Sequence, residues 1–162
     1  MTQLDEIYST RILEVAGNIP RTERLVSPDV TASAHSKLCG STITVDLCMD
    51  GEVITDFGQD VKACLLGQAS ASIVAGLIVG SGADELIEIG QIMRKMLKQD
   101  GPPPTGKWAE LEILEPVRNF KARHASTLLI FDAVEKAINE VRSRNPKTDS
   151  VSEGQELGSR AV

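Results

Sequence analysis

Aromatic side chains make up only 3% of the 162 residues, one Trp, one Tyr and three Phe, so a core has to be built from Leu, Ile, Val and Ala. Basic residues are outnumbered, 17 Lys and Arg against 23 Asp and Glu. The resulting charge of −6 argues against general affinity for nucleic acid or an acidic membrane surface, whose phosphates it would repel. Long apolar runs are missing: the longest, Ile73–Gly80, has eight residues and two glycines, against about 20 for a membrane helix. The opening MTQLDEIYSTRILEV has neither a basic start nor an apolar stretch after it, so no secretory signal is expected. Cysteine is scarce and odd in number: Cys39, Cys48 and Cys64 show no CxxC spacing and do not read as a disulfide framework. Reduced thiols in the cytoplasm are the expectation. There is no internal repeat. What is present, 41% hydrophobic and 25% charged residues, suits one soluble globular domain of ordinary size.

Along the chain, Leu4, Ile7, Tyr8, Ile12, Val15 and Ala16 recur at helical steps and predict a helix over 4–16, ended by Gly17 and Pro20. Residues 18–38 show no period and read as a long loop, a length that is often functional. Alternation of Ile43, Val45 and Leu47 with Thr42, Thr44 and Asp46 predicts a strand with a polar outer face. Asp50-Gly51 is a hairpin signal, and 52–58 supplies the partner strand. A helix rich in Gly, Ala and Ser is expected over 63–79, small enough along its surface for another backbone to come close. Ser81 and Asp84 have capping-box spacing ahead of a helix carrying Leu86, Ile89, Met93, Met96 and Leu97 on one face. A short helix with Trp108, Leu111 and Leu114 is expected to break at Pro116. The last helix runs over 126–141, and the polar residues after Asn145 read as a disordered tail. The domain is thus 4–144, with 145–162 as tail, and segregated strands and helices make the class α+β.

Chemistry concentrates at three positions. Cys64 lies where a strand passes into a helix N-terminus, whose N–H groups and dipole favour the thiolate that metal binding requires. Cys39 precedes Gly40 and Ser41 at the close of the long loop, so two strand-end thiols can converge although 25 positions separate them. His124, flanked by Lys121 and Arg123, could complete a metal site. Each also has an ordinary reading: a buried free thiol for the cysteines, a solvated side chain for the histidine. Cys48 follows the polar parity of its strand and His35 lies in the loop; neither is given a role. Arg118, Lys121 and Arg123 read as a solvated basic face.

Cys39-Gly40-Ser41, the strand pair and Ala63-Cys64-Leu65-Leu66-Gly67-Gln68-Ala69-Ser70-Ala71-Ser72 together resemble the cysteine motifs of the NifU/IscU/SufU iron–sulfur scaffold family. The Gln-Ala-Ser-Ala-Ser run is similar to the SufU-type branch. Tyr8 with Asn18-Ile19-Pro20-Arg21, and Pro116-Val117-Arg118 with Arg123-His124-Ala125-Ser126, resemble its earlier and later stretches, so the likeness spans about 8–140. It implies an IscU/SufU-like fold: a small antiparallel sheet with helices packed on one side. It also implies a non-enzymatic scaffold that binds iron, a labile [2Fe–2S] cluster or zinc through Cys39, Cys64 and His124. Such a scaffold passes cluster or metal to recipient apo-proteins and works with a cysteine desulfurase.

Two departures qualify that picture. Ser41 stands where the family carries aspartate, and Ala125 where it carries its third cysteine. A tetrahedral zinc would then take its fourth ligand from water, Ser41 or a partner protein. A [2Fe–2S] cluster would need an exogenous thiol beside Cys, Cys and His. Two alternatives follow: a zinc-dependent sulfur acceptor for a cysteine desulfurase, weakened by the absent thiol, and a metal-poor paralogue acting as a structural or binding subunit.

Overall fold

The computed structural model describes residues 8–37 and 40–144. The described residues form an α+β fold of three strands and four α-helices. In chain order these are α1 (Thr10–Ala16), β1 (Val30–His35), β2 (Thr42–Asp50), β3 (Val53–Lys62), α2 (Leu65–Leu77), α3 (Ala83–Lys98) and α4 (His124–Arg144). A 3₁₀ run, Gly106–Asn119, joins α3 to α4 through a final turn at Lys121–Arg123. The sheet is antiparallel in the order β1-β2-β3, and Gly51, with φ of 63°, makes the β2–β3 hairpin turn.

One face of this sheet carries the core. Ile43, Val45 and Leu47 of β2 and Ile54 and Phe57 of β3 are buried there. Helix α4 crosses β1 and β2 while α2 meets β3, and α3 packs on the outside of α4. Two ion pairs hold α3 to α4, from Arg94 to Asp132 at 2.7 Å and to Glu135 at 3.1 Å.

The opposite face differs from the exposed polar surface that alternation predicts. Thr31, Asp46 and Gly58 sit side by side across the three strands. Asp46 is fully buried, because the 18–29 segment folds down over this row. Arg24 grips the carboxylate with Nε and Nη2 at 2.6 and 3.0 Å, the Leu25 N–H donates at 3.0 Å, and Thr31 Oγ1 donates at 2.6 Å. Gly58 makes the close approach possible: a Cβ there would stand 2.3 Å from the Glu23 carbonyl oxygen. The expected loop is also shorter than 18–38, since Val30–His35 within it is edge strand β1. Its inward residues Val30, Ala32 and Ala34 are mostly small and give little periodic signal.

Helix starts shift for identifiable reasons. Within the described residues the first helix begins at Thr10, where Ser9 is its N-cap and accepts from the Ile12 N–H. Leu4 and Ile7 lie outside the described residues, as does the expected tail from Asn145. At α3 the cap falls one residue later than predicted, and only half of a capping box forms because Gly82 has no side chain to accept. Gly82 is the N-cap and donates its N–H to Glu85 Oε1 at 3.2 Å, while the Ser81 hydroxyl donates to the Leu77 carbonyl. Glu85 also receives Trp108 Nε1 at 2.7 Å and Lys107 Nζ at 3.1 Å. Burial pushes the Glu85 carboxyl up, but these donors more than offset it and hold it below its usual range.

The predicted break at Pro116 does not occur. Trp108, Leu111, Leu114 and Val117 are all buried at steps of three, the repeat of a 3₁₀ helix. That period continues through the proline, which lies within the run.

Asp46 links this architecture to pH. Burial pushes its carboxyl up, while the bonds from Arg24, Thr31 and Leu25 pull it down further, leaving it below the usual carboxylate range. A depressed folded value means the stabilisation is complete above the unfolded value of about 4 and is lost as pH falls from there through the folded value. Asp46→Asn is expected to lower unfolding stability by about 2 kcal/mol at pH 7 and to flatten that acid limb, as read from urea melts between pH 3 and 7.

Candidate functional site

The two outer connections of the sheet meet at one end of the molecule. After β1 the chain closes a tight loop: the Gly40 N–H donates to the Ser36 carbonyl at 2.8 Å and the Ser36 N–H to the Ser41 carbonyl at 2.9 Å. Gly40 takes φ of 71°, a left-handed conformation that suits glycine. Cys39 lies outside the described residues. Ser41, which follows it by two, is buried and accepts the Cys64 N–H on its hydroxyl at 3.3 Å. The β2–β3 pairing that joins Thr42 to Lys62 brings these neighbours together, because each strand end is two residues or fewer from the site.

Cys64 is the N-cap of α2, with an extended backbone and no capping bond from its side chain. Its carbonyl begins the helix by accepting the Gln68 N–H at 2.9 Å. The sulfur instead faces α4, where Ser126 Oγ lies 3.1 Å away. Gly67 permits this, since a Cβ on it would stand 3.0 Å from the Ser126 carbonyl oxygen and 2.8 Å from Ala63 Cβ. Ser70 fastens the same crossing by donating to the Thr127 carbonyl at 2.8 Å. The small residues of α2 thus serve the close approach expected of them.

His124, the first residue of α4, is buried rather than solvated. Its Nε2 lies 3.1 Å from both the Val117 and the Arg118 carbonyl oxygens. Two acceptors require a proton on that nitrogen, so in the neutral ring Nδ1 carries the free lone pair. Metal-binding histidines donate their other ring N–H to a carbonyl or carboxylate in this way, so the contact is compatible with ligation at Nδ1 and equally serves a structural histidine. Ala125 is half-buried between His124 and Ser126.

Other sequence candidates stand apart. Cys48 is six residues along β2 from Thr42, about 20 Å from this end, and its thiol reaches only the Ser27 carbonyl at 3.6 Å. His35 is exposed on β1. Arg118 braces the fold, donating to the Gly101 carbonyl at 3.0 Å and to Glu115 at 2.9 Å, while Lys121 is exposed. Among the described residues no group of three or more His, Cys, Asp and Glu gathers to hold a metal ion. The hydroxyl of Ser126 is the contact that motif reading misses. It lies inside the quoted Arg-His-Ala-Ser run, and only the α2–α4 crossing reveals what it faces.

Fold and site together place one thiol, Cys64, at a helix N-terminus against the first turn of α4. No family model matches the sequence. The crystal structure of a nitrogen-fixing NifU-like protein (N-terminal) from Brucella abortus superposes with a TM-score of 0.87 at 52% identity, covering 88% of this chain and 99% of that one. The zinc-dependent sulfurtransferase SufU of Bacillus subtilis is 23% identical over 142 residues, 88% of this chain and 96% of its own. The iron–sulfur cluster assembly scaffold protein IscU of Thermotoga maritima is 24% identical over 135 residues, 83% of this chain and 94% of its own. The chain belongs to the NifU/IscU/SufU-like family. No helix among the described residues is long and apolar enough to cross a membrane.

Two glycines of α2 should respond oppositely to the same change. Gly67→Ala gains helix propensity but forces α4 away, and is expected to lower stability by about 1–3 kcal/mol. At Gly76 a Cβ meets nothing within 4 Å, so Gly76→Ala is expected to raise stability by up to about 1 kcal/mol. Urea denaturation of the two variants beside the parent measures both signs.

Proposed function

We propose that this chain is an iron–sulfur cluster assembly scaffold that takes up iron or a labile [2Fe–2S] cluster as cargo and passes it to apo-proteins. The observation that carries this reading is Cys64, a thiol at a helix N-terminus set against the first turn of α4, in a chain 52% identical to a NifU-like protein. Cys39, Cys64 and His124 Nδ1 are the assigned cargo ligands. The donor set is incomplete, and that fits a carrier: two thiols and one imidazole leave a position for an exogenous thiol, and a site that is not closed releases what it holds. It is a carrier and not an enzyme, with a cysteine desulfurase as sulfur source and apo-proteins as recipients. The cytoplasm, where thiols stay reduced, is its compartment.

A second reading has a specific observation in its favour. The relative from Bacillus subtilis is a zinc-dependent sulfurtransferase, and Gln68-Ala69-Ser70-Ala71-Ser72 is similar to that branch. Zinc on the same three ligands would keep one position open. Ala125 weighs against it, since the position that would offer a sulfur-accepting thiol has none.

Anaerobic reconstitution with ferrous iron and sulfide is expected to give visible cluster absorption in the parent and to lose it in Cys39→Ser and in Cys64→Ser. A colourless product from folded protein overturns the scaffold reading. About one zinc per chain on purification, with stimulated sulfide release by a desulfurase, establishes the second. Neither metal nor cluster, with stable co-purification in a complex, establishes a metal-poor binding subunit. Restoring the family's thiol by Ala125→Cys is expected to slow loss of bound metal to a chelator.

A further inference from the structure

The contact between Ser126 and Cys64 carries more than packing. Ser126 is 1% exposed, so its hydroxyl has only protein partners: Cys64 Sγ at 3.1 Å and the Arg123 carbonyl oxygen at 3.3 Å. A hydroxyl has one proton to donate. A carbonyl can only accept, and a sulfur bonded to a metal can only accept as well, so the two compete for that proton. The carbonyl is the weaker competitor, because Thr127 Oγ1 already donates to it at 2.8 Å. Thr127 is fully buried, which keeps its own hydroxyl on that oxygen.

We propose that Ser126 is a positioning residue that donates a hydrogen bond to the Cys64 sulfur when that sulfur carries a metal, with Thr127 freeing the donor by satisfying the Arg123 carbonyl. This deepens the scaffold reading and rests on it. While Cys64 is a thiol, its S–H donates to Ser126 Oγ and the Ser126 O–H turns to the Arg123 carbonyl. When metal replaces the thiol proton, the Ser126 O–H rotates onto the sulfur. Nothing is oxidised, and the thiol proton leaves to solvent or to the incoming ligand. Such a bond draws charge from the ligating sulfur, weakening its donation to the metal. In a carrier that must let go, that weakening favours release.

The test uses the full chain loaded anaerobically with Co(II), whose sulfur-to-metal charge-transfer band reports on the ligating sulfur. The parent is expected to show the band. Removing the donor in Ser126→Ala raises the sulfur lone pairs in energy and shifts the band to longer wavelength. Thr127→Ala leaves the Arg123 carbonyl to reclaim the Ser126 proton, so it shifts the band the same way by less. The double variant should match Ser126→Ala alone, an epistasis that a packing role does not produce. Coincident bands in parent and Ser126→Ala overturn the proposal while leaving the scaffold reading intact. Absence of the band from the folded parent overturns metal binding at Cys64 and the proposal with it. Should Ser126→Ala fail to fold by circular dichroism, Thr127→Ala decides alone, and an unmoved band in it overturns the assignment.

Discussion

The carboxylate of Asp46 is buried in the middle strand on the face away from the helices, a position it can hold only if its charge is answered. Arg24, Leu25 and Thr31 answer it, and two of the three come from the segment that precedes the sheet. The segment can reach the carboxylate because Gly58, the cross-strand neighbour, leaves the backbone of Glu23 room to lie down. One charge and one missing side chain therefore fix the route from α1 to β1. Since β1 feeds the Ser36–Ser41 turn, the same pair sets where the chain arrives at the thiol end of the molecule.

At that end the governing constraint is distance rather than charge. The first turns of α2 and α4 cross so closely that a single methyl group on Gly67 would touch the opposing backbone. Cys64 reaches Ser126 only because of this proximity. Hydroxyls contact Cys64 at two atoms, Ser41 on its amide and Ser126 on its sulfur. Ser41 and Ala125, where the family resemblance implies an aspartate and a cysteine, bring no charge of their own to this end. The overall fold, with a TM-score of 0.87 to the NifU-like structure, is retained.

Much of this was legible in residue patterns. The alternation over 42–47, the Asp50-Gly51 turn and the small residues of α2 predict their elements and, for α2, the close packing. The family resemblance is carried by the Cys64 motif and agrees with the observed fold. Other features were hidden for physical reasons. Strand β1 alternates, but with Ala at two of its three inward positions the contrast is faint. Asp46 looks solvent-facing because strand parity says nothing about a segment folding over from twenty residues earlier. The pattern predicts only a short helix ending at Pro116, since three of the four buried residues of the 3₁₀ run fit either helical period and only Val117 distinguishes them. Ser126 was invisible as a site residue because its importance comes from a partner 62 positions away.

The seat of His124 has a practical corollary. Its Nε2 rests on carbonyls at the end of the 3₁₀ run, so displacement of that segment is felt directly by the ring. The chain contains two histidines, and the other, His35, lies exposed on the edge strand. Nature has thereby installed a paired spectroscopic probe. In a nuclear magnetic resonance spectrum the His35 ring reports on the exposed edge strand while the His124 ring reports on the junction of the 3₁₀ run with α4, and the two are told apart without any label being added.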